Sequence, residues 1–285
     1  MKNRIISERT ARTLQENWVA NVNSSDDLHN SFIFNKDGIK KAAGFMMAQE
    51  KFIDIISPIG AYQLCVRFGH YLKEKDQSTI SFCCILYSTD RQNRVVSDYW
   101  LISSPIYYKD GIEYCKDGIK TEIINGQSAI LRGVIPSQLA RIWLEKWYCE
   151  IKNPPLSSSL FVLPSNKGVL QGFTIDIKNL LLALYPISES YNRNIKNIYI
   201  LFTNHETGHS NTLENNLHFQ DTFGVLFSSS ENPENDSPPT IPPIQTLSSV
   251  FTTIKDDESD ESIDSNEYAV STFFNMTAPC PDTCP

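Results

Sequence analysis

The feature that most constrains the fold of this chain is a pattern that occurs twice. Residues 11–18 read ARTLQENW, and residues 140–147, at an offset of 129, read ARIWLEKW. In both segments apolar residues stand at i, i+3 and i+7, the spacing of one face of an α-helix, and that face ends in a tryptophan. The spacing therefore predicts two related amphipathic helices, with Trp18, Trp143 and Trp147 in the core.

Behind each helix the sequence favours a strand, a second helix and then a pair of strands rich in β-branched and aromatic residues. In the first half these segments are 31–34, 38–56, 62–68 and 80–88, and in the second half they are 159–163, 175–187, 197–203 and 223–229. The sequence thus predicts an α+β fold of two related helix-strand-helix-hairpin units, residues 1–134 and 135–230. We expect the units to have arisen by internal duplication and to pack against each other.

The net charge of −8 belongs to the C-terminal region and not to the body of the protein. Eleven of the 33 acidic residues and one of the 25 basic residues lie from Glu231 onward, which leaves 22 acids and 24 bases before it. The basic residues of the body are scattered and form no stripe that would neutralise phosphates, so we expect no nucleic-acid partner. Residues 231–267 are rich in Pro and Ser and then acidic, a composition typical of a disordered linker.

The last segment, residues 268–285, is apolar again and ends in two cysteines. Its first seven residues, YAVSTFF, predict a strand that docks on the sheet of the body. Cys280 and Cys284 leave three interpretations open: free thiols on a mobile end, a reversible disulfide, or half of a metal or conjugation site.

Residues 205–209, HETGH, match the His-Glu-x-x-His pattern of zinc peptidases. Such an enzyme needs both histidines one turn apart on a helix, so that the imidazoles converge on the metal while the glutamate activates water. Here the motif follows a β-rich run, contains Gly208 and precedes no apolar stripe. The sequence therefore favours an exposed hairpin loop over a helix.

A metal site is the alternative interpretation of the same motif. Its ligands would be His205 and His209, with a third from His218, Glu214 or Asp221. Zinc is the expected cofactor under this alternative only, and the favoured interpretation has no cofactor.

Other catalytic patterns do not occur in the sequence: it has no nucleophile elbow, no phosphate-binding glycine loop and no dinucleotide fingerprint. Cys149, beside Trp147 and Tyr148 on a predicted helix, is expected to be a packed thiol and not a nucleophile. The seven cysteines have no framework spacing, and no signal-peptide pattern or membrane-length apolar run occurs. We therefore expect a cytoplasmic protein with reduced cysteines.

Three segments resemble an uncharacterised group of bacterial proteins: ISERTARTLQENWVAN at 6–21, FIFNKDGI at 32–39 and PCPDTC at 279–284. Members of that group have one helix-strand-helix-hairpin unit and a Pro-Cys-Pro-x-x-Cys-type tail. The resemblance covers residues 6–88 and the end of the tail. It implies the architecture, but it implies no activity, cofactor or catalytic residue, and this chain differs in its second unit and acidic linker.

Taken together, these patterns predict a non-enzymatic binding or interaction module. It would engage another protein, or copies of itself in a homo-oligomer, through sheet or helix surfaces. One alternative is a metal-dependent hydrolase that uses His205, Glu206 and His209, and another is a thiol-based role for Cys280 and Cys284.

Overall fold

The computed structural model describes residues 3–25, 27–34, 40–72, 80–108, 134–135, 137–162, 168–184, 195–210, 217–231, 273–275 and 278–279. Within these residues the chain forms four α-helices, two short 3-10 helices and thirteen β-strands. The prediction of a mixed α and β fold is confirmed. None of the described helices is long and apolar enough to cross a membrane.

Within the described structure, residues 4–108 contain seven strands, two α-helices and one 3-10 turn. They are β1 (Arg4–Ile6), α1 (Glu8–Ser24), a 3-10 turn (His29–Ser31), β2 (Ile33–Phe34), β3 (Lys40–Ala48), α2 (Gln49–Ile56), β4 (Gln63–His70), β5 (Phe82–Thr89), β6 (Tyr99–Ile102) and β7 (Pro105–Tyr107).

Residues 134–279 follow a closely similar order. Their elements are β8 (Val134–Ile135), α3 (Ser137–Lys152), a 3-10 turn (Ser158–Phe161), β9 (Gly172–Asp176), α4 (Ile177–Leu184), β10 (Ile195–Ser210), β11 (Leu217–Glu231), β12 (Phe273–Asn275) and β13 (Ala278–Pro279). The short strand β2 has its counterpart in a single bridge between Val162 and Val169.

The strands form two antiparallel sheets whose strand orders correspond. Sheet 1 has the order β1-β6-β5-β4-β9-β13; sheet 2 has the order β8-β12-β11-β10-β3, and β3 also pairs with β2 and β7. Each sheet therefore takes its hairpin from one half of the chain and further strands from the other half. Because β3 pairs with β10 and β9 pairs with β4, the two halves are interleaved and share one core.

Two buried tryptophans fix the long helices to the strand that crosses from the other half. Trp18 on α1 donates its indole N–H to the carbonyl oxygen of Leu170 at 2.9 Å, and Trp147 on α3 donates to that of Ala42 at 3.1 Å. Both indoles are 0% exposed, as the helical spacing predicts, whereas Trp143 is only partly buried. Burying an indole with its N–H bonded avoids the cost of an unpaired donor.

Phenylalanines complete this core with edge-to-face and tilted contacts around the two indoles. Trp18 lies 5.0 Å from Phe82 and Trp147 lies 5.1 Å from Phe223, between ring centroids. Phe82 and Phe223 belong to matching strands, β5 and β11, and each closes the core from its own sheet. Aromatic pairs at such separations add to the stabilisation that comes from burial alone.

The predicted helix at 38–56 is wrong in its first half, because residues Lys40–Ala48 form β3 and the helix spans only Gln49–Ile56. The sequence KKAAGFMMA is rich in good helix formers, but backbone pairing with β10 outweighs that local preference. In the same way the predicted helix at 175–187 begins inside β9, and α4 starts at Ile177.

Of the strand predicted at 31–34, Ile33–Phe34 forms β2 and Ser31 ends the first 3-10 turn, whereas the strand predicted at 159–163 is mainly the second 3-10 turn, which ends at Phe161. Phe32 and Phe161 lie in or beside these turns, and their rings stack 5.7 Å apart in the core. These short apolar runs therefore indicate burial in the core more reliably than they indicate the length of a strand.

Glu231 ends β11, and the rest of the predicted linker, 232–267, lies outside the described residues. When the chain is next described, Phe273 and Phe274 at the end of the YAVSTFF segment belong to β12 and pair with β11. Ala278 and Pro279 then pair with β9 as β13. The described chain therefore leaves sheet 2 at Glu231 and is next found in the same sheet at Phe273. Cys280 and Cys284 lie outside the described residues.

Candidate interaction site: the β10–β11 ribbon

The two hairpins of the fold share a common inner part but have different lengths. β4 pairs with β5 from Gln63 opposite Thr89 to His70 opposite Phe82. β10 pairs with β11 as far as Ser210 opposite Leu217. The second hairpin is therefore about twice as long as the first.

The outer part of the longer hairpin has no neighbouring strand among the described residues. β10 is last paired with β3 at Leu201, and β11 is last paired with β12 at Leu226. Asn204 and Phe223, opposite each other, are still buried in the body at 1% and 0% exposed. We call residues 205–210 and 217–222, which follow outward from this pair, the ribbon.

The HETGH motif lies inside the ribbon and is neither a helix nor the predicted loop. Residues 205–209 are extended, and the register places His205 opposite Thr222 and His209 opposite His218. In a strand, residues four apart are separated by about 13 Å along the chain, whereas one helical turn brings them to about 6 Å. The backbone at the motif therefore lacks the helical geometry that a zinc peptidase uses.

The remaining candidate ligands of the predicted metal site are spread along the ribbon. Asp221 stands opposite Glu206 in the register, and Glu214 lies outside the described residues. Elsewhere in the part of the chain that the structure describes, no group of three or more His, Cys, Asp or Glu is placed to hold a metal ion.

The base of the ribbon is braced by α3. The amide N–H of Asn204 donates to a carboxylate oxygen of Glu150 at 3.5 Å, a long bond that joins β10 to the helix. The amide oxygen of Asn204 is buried and has no hydrogen-bond donor within the described structure. A buried acceptor without a donor is costly, so this position lowers the stability of the body at the base of the ribbon.

The buried cysteines of the body are poor candidates for chemistry. Cys65, Cys83 and Cys84 are free thiols inside the core. Burial raises the pKa of the Cys83 thiol. The pKa of the Cys84 thiol is also raised, mainly by burial and to a smaller extent by the neighbouring Cys83. Because the thiolate is the reactive form, these residues serve as small apolar core residues.

Cys149 on α3 is not the free packed thiol that the sequence predicts, because its sulfur is in a disulfide. Its side chain is only half-buried, and the three other cysteines of the described chain are free. The partner cysteine therefore lies outside the described residues. A nucleophilic role for Cys149 is incompatible with this bond.

Sheet 1 also contains a buried charged residue, Arg67, which is a poor candidate for chemistry because its side chain is not accessible to solvent. Arg67 on β4 is 4% exposed and donates from Nε to the hydroxyl of Tyr87 at 3.1 Å. Burial raises the pKa of Tyr87 to about 12, although the nearby Arg67 charge acts in the opposite direction. The pair lies in the interior of sheet 1.

One open groove of about 490 Å³ runs along α1, and it is lined by Arg12, Gln15, Glu16, Val19, Ala20 and Gln171. Its charged groups are solvated: Arg12 pairs with Glu8 at 3.1 Å, and both side chains are mostly exposed. Such an ion pair contributes little and does not desolvate a ligand.

The ribbon and its bracing residues are what the sequence interpretation missed. A signal for the extension exists, because Leu217, Phe219 and Phe223 alternate with polar residues in the direction of β11. The glycine and threonines of HETGHSNT hid the partner strand. Comparison of the chain with models of known protein families, with curated proteins and with solved structures finds no match in any of the three.

Proposed function

We propose that this protein is a non-enzymatic interaction module that engages a partner protein, or a second copy of itself, through the β10–β11 ribbon. The observation that carries the proposal is the register: six residue pairs, from His205 opposite Thr222 to Ser210 opposite Leu217, continue beyond the last neighbouring strand of the described chain.

Elementary physical chemistry supports a binding role for such an element. A two-stranded ribbon is marginally stable alone in water, so a ribbon that extends past its sheet gains stability from a partner. Each of its edges presents backbone N–H and C=O groups that can pair with a further strand. Strand addition is a common way in which proteins recognise one another, since the backbone provides affinity and alternate side chains provide specificity.

Internal duplication is the second part of the proposal, and it explains why the ribbon stands out. The order of elements, the strand order of the sheets and the tryptophan bonds of α1 and α3 all have matching counterparts. On this view the second unit does not end at 230 but continues through β12 and β13, and the acidic segment is an insertion between two strands of one sheet. In the described residues the pairing of β4 with β5 ends at His70, which matches Asn204, so on this view the ribbon is an addition made after duplication.

The first experiment removes the ribbon and leaves the body intact. Residues 205–222 are replaced by Asn-Gly, which forms a tight turn between Asn204 and Phe223. We expect the variant to keep its circular dichroism spectrum and melting temperature, and to lose the self-association or partner binding of the full chain in sedimentation velocity. Equal association of both chains would contradict the proposal.

A photo-crosslinking amino acid locates the surface directly. It is placed at Thr207 in the ribbon and, as a matched control, at Ile59, a fully exposed residue of the body. We expect cross-links to a partner or second copy from position 207 only. Cross-links of equal yield from both positions would argue against the ribbon as the binding element.

Metal binding by the ribbon is a second candidate function, because the register places His209 opposite His218. Directly opposed residues of antiparallel strands have Cα atoms about 4.5–5.5 Å apart, and imidazoles bind zinc, copper and nickel. Elemental mass spectrometry of the purified protein tests it: the metal should be lost in His209→Ala and His218→Ala and kept in His29→Asn. The thiol-based role of Cys280 and Cys284 remains a further proposal, and a chain truncated after Asn266 tests it.

A further inference from the structure

Three polar side chains meet at one end of sheet 1, on the face that α1 covers. Arg4 begins β1, Tyr71 directly follows β4 and Ser103 directly follows β6. Arg4 stands opposite Leu101, and Ser103 lies two residues beyond Leu101, so the alternation of a strand places both on one face. Tyr71 packs against the small buried cluster that contains Leu101 and Leu14 of α1. The charge of Arg4 and the hydroxyl of Ser103 both act on the phenol of Tyr71, so the three side chains lie close together.

The backbone at this end of the sheet is fixed by hydrogen bonds. The N–H of Ser103 donates to the amide oxygen of Asn3 at 3.1 Å, and the amide N–H of Asn3 donates to the carbonyl oxygen of Met46 on β3 at 2.9 Å. The N–H of Tyr71 donates to the carbonyl oxygen of Ser81 at 2.8 Å. Groups held in this way lose little conformational entropy when a ligand binds to them.

Two of the three side chains carry buried hydroxyls without a partner. Ser103 is 7% exposed, and neither its Oγ nor the Oη of Tyr71 has a hydrogen-bond partner within the described structure. Burial raises the pKa of Tyr71 to about 12, although the nearby Arg4 and Ser103 act in the opposite direction. The phenol is therefore protonated at neutral pH and can donate a hydrogen bond. A buried hydroxyl without a partner is costly, so two of them at one place point to a missing acceptor.

The third side chain adds a positive charge that no carboxylate balances in the described residues. Arg4 is exposed, and the ion pairs of that part of the chain join Arg12 to Glu8 and Arg94 to Asp90. The cluster thus consists of a guanidinium and two hydroxyl donors. An acceptor that carries negative charge suits such a set, because charge-assisted hydrogen bonds are about twice as strong as neutral ones.

We propose that Arg4, Tyr71 and Ser103 form a binding site for an oxyanion of the phosphate class, either free phosphate or a phosphoryl group. The guanidinium supplies charge and paired N–H donors, and each hydroxyl donates one hydrogen bond to a phosphate oxygen. Because the hydroxyls are shielded from solvent and Arg4 is exposed, the anion enters from the side of Arg4. The site lies in sheet 1 and is separate from the ribbon, which belongs to sheet 2.

The first test is made on the full wild-type chain with inorganic phosphate. A ligand that binds only the folded protein raises its melting temperature. We expect the melting temperature to rise with phosphate at constant ionic strength and to stay unchanged with chloride. Isothermal titration calorimetry then gives the dissociation constant. A melting temperature that does not respond to phosphate would overturn the proposal.

Two substitutions of exposed arginines form a matched pair. Arg4→Gln should weaken phosphate binding by about tenfold or more, because a charged donor is lost. Arg9→Gln removes the same charge from an exposed residue in the first turn of α1 and should leave the dissociation constant unchanged. Equal weakening by both substitutions would show attraction by net charge alone and would refute the site.

The double variant Tyr71→Phe/Ser103→Ala separates a binding role from a structural one. It removes two hydroxyls that have no partner, so without phosphate its melting temperature should equal or exceed that of the wild-type chain. Its response to phosphate should be weaker than that of the wild-type chain. A lower melting temperature together with an unchanged dissociation constant would mean that the hydroxyls stabilise the fold and bind no anion.

O-phosphoserine is titrated in parallel to identify the source of the phosphate group. Tighter binding than that of inorganic phosphate would support the site with a phosphorylated molecule as its ligand, and weaker binding would support it with free phosphate as its ligand. In either case Arg4→Gln should weaken the binding. Binding of both probes that is insensitive to Arg4→Gln would place the anion elsewhere on the protein and contradict the proposal.

Discussion

The β4–β5 hairpin and the β10–β11 hairpin occupy corresponding places in the two sheets, but one stops at the edge of the body and the other continues outward. Up to His70 and Phe82 in the first hairpin, and up to Asn204 and Phe223 in the second, the residues are largely buried. Beyond that level, among the residues that the structure describes, strand pairing continues only in the second hairpin. The shared parts show what the core requires, and the unshared part shows where a specific function can reside.

The correspondence between the two halves of the chain includes the backbone at two glycines. Gly44 on β3 lies against the carbonyl oxygen of Ile200, and Gly172 on β9 lies against that of Val66. Their φ angles are +157° and +148°, and a Cβ at either position would overlap the facing backbone. Both crossings between the two halves thus depend on a glycine.

The largest effect is expected when this close approach is blocked. Gly44→Ala and Gly172→Ala should each lower the free energy of unfolding by about 4 kcal/mol or more, because a methyl group cannot fit against a carbonyl oxygen. Urea denaturation followed by circular dichroism measures the loss. If only one of the two substitutions is damaging, the correspondence between the crossings fails.

Gly60→Ala is the control for these glycines. Gly60 also has a positive φ, +87°, but nothing lies within 4 Å of the added Cβ. Gly60→Ala should therefore lower the free energy of unfolding by about 1–2 kcal/mol, from backbone strain alone.

The two indoles provide the next test of the comparison. Trp18→Ala and Trp147→Ala should each cost about 3–5 kcal/mol, because each removes a large buried side chain and leaves a backbone carbonyl without its donor. Trp143→Ala, at a partly buried residue of the same helix as Trp147, should cost clearly less. Thermal melts of the three variants measure the difference, and a tolerated Trp18→Ala would show that α1 is held differently from α3.

The two long helices and the inner strands could be predicted from the sequence, because their signals are local. The spacing of Ala11, Leu14 and Trp18 is visible in eight residues, and the strands around β4 and β10 are dense in apolar residues. The predictions that failed depend on contacts between residues far apart in the sequence. β3 reads as a helix because alanine, lysine and methionine favour one, and only β10, about 150 residues away, makes it a strand.

The ribbon was missed for a related reason. Gly208 and the polar residues around it favour a loop when they are considered alone, and their partner strand becomes evident only through the register with residues 217–222. The interleaving of the two halves has no signal in a single sequence either, since β9 could pair with its own hairpin as well as with β4. Motif spacing indicated zinc chemistry, whereas the backbone conformation decides what the motif can do.

The phenol of Tyr87 provides a test of sheet 1 by pH. Its position corresponds to Ser228 in sheet 2, and burial raises its pKa in the folded protein to about 12 from an ordinary value of 10.0. Because the folded pKa is the higher one, the stabilisation is complete below pH 10 and is lost as pH rises from 10 towards 12. The total loss of stabilisation from Tyr87 over this pH range is about 2–3 kcal/mol.

Tyr87→Phe should therefore flatten the decline in stability above pH 10. The free energy of unfolding is measured between pH 8 and pH 12 for both chains. Some decline remains in the variant, because both chains keep the contributions of Tyr71 and Tyr107, whose pKa values burial also raises to about 12. Identical slopes for the two chains would mean that Tyr87 is not shielded from water in the folded state.

The smallest effect concerns how the two long helices begin. The Ser7 hydroxyl accepts a hydrogen bond from the N–H of Thr10 at 3.2 Å and caps α1, whereas the sequence has Pro136 at the corresponding place before α3. Ser7→Ala should cost about 1 kcal/mol in urea denaturation, the usual value of such a cap. Ser24→Ala, at the exposed other end of α1, should cost almost nothing. A neutral Ser7→Ala would mean that α1, like α3, is held by its buried face alone, so that the matching tryptophans and not the caps account for the stability of both helices.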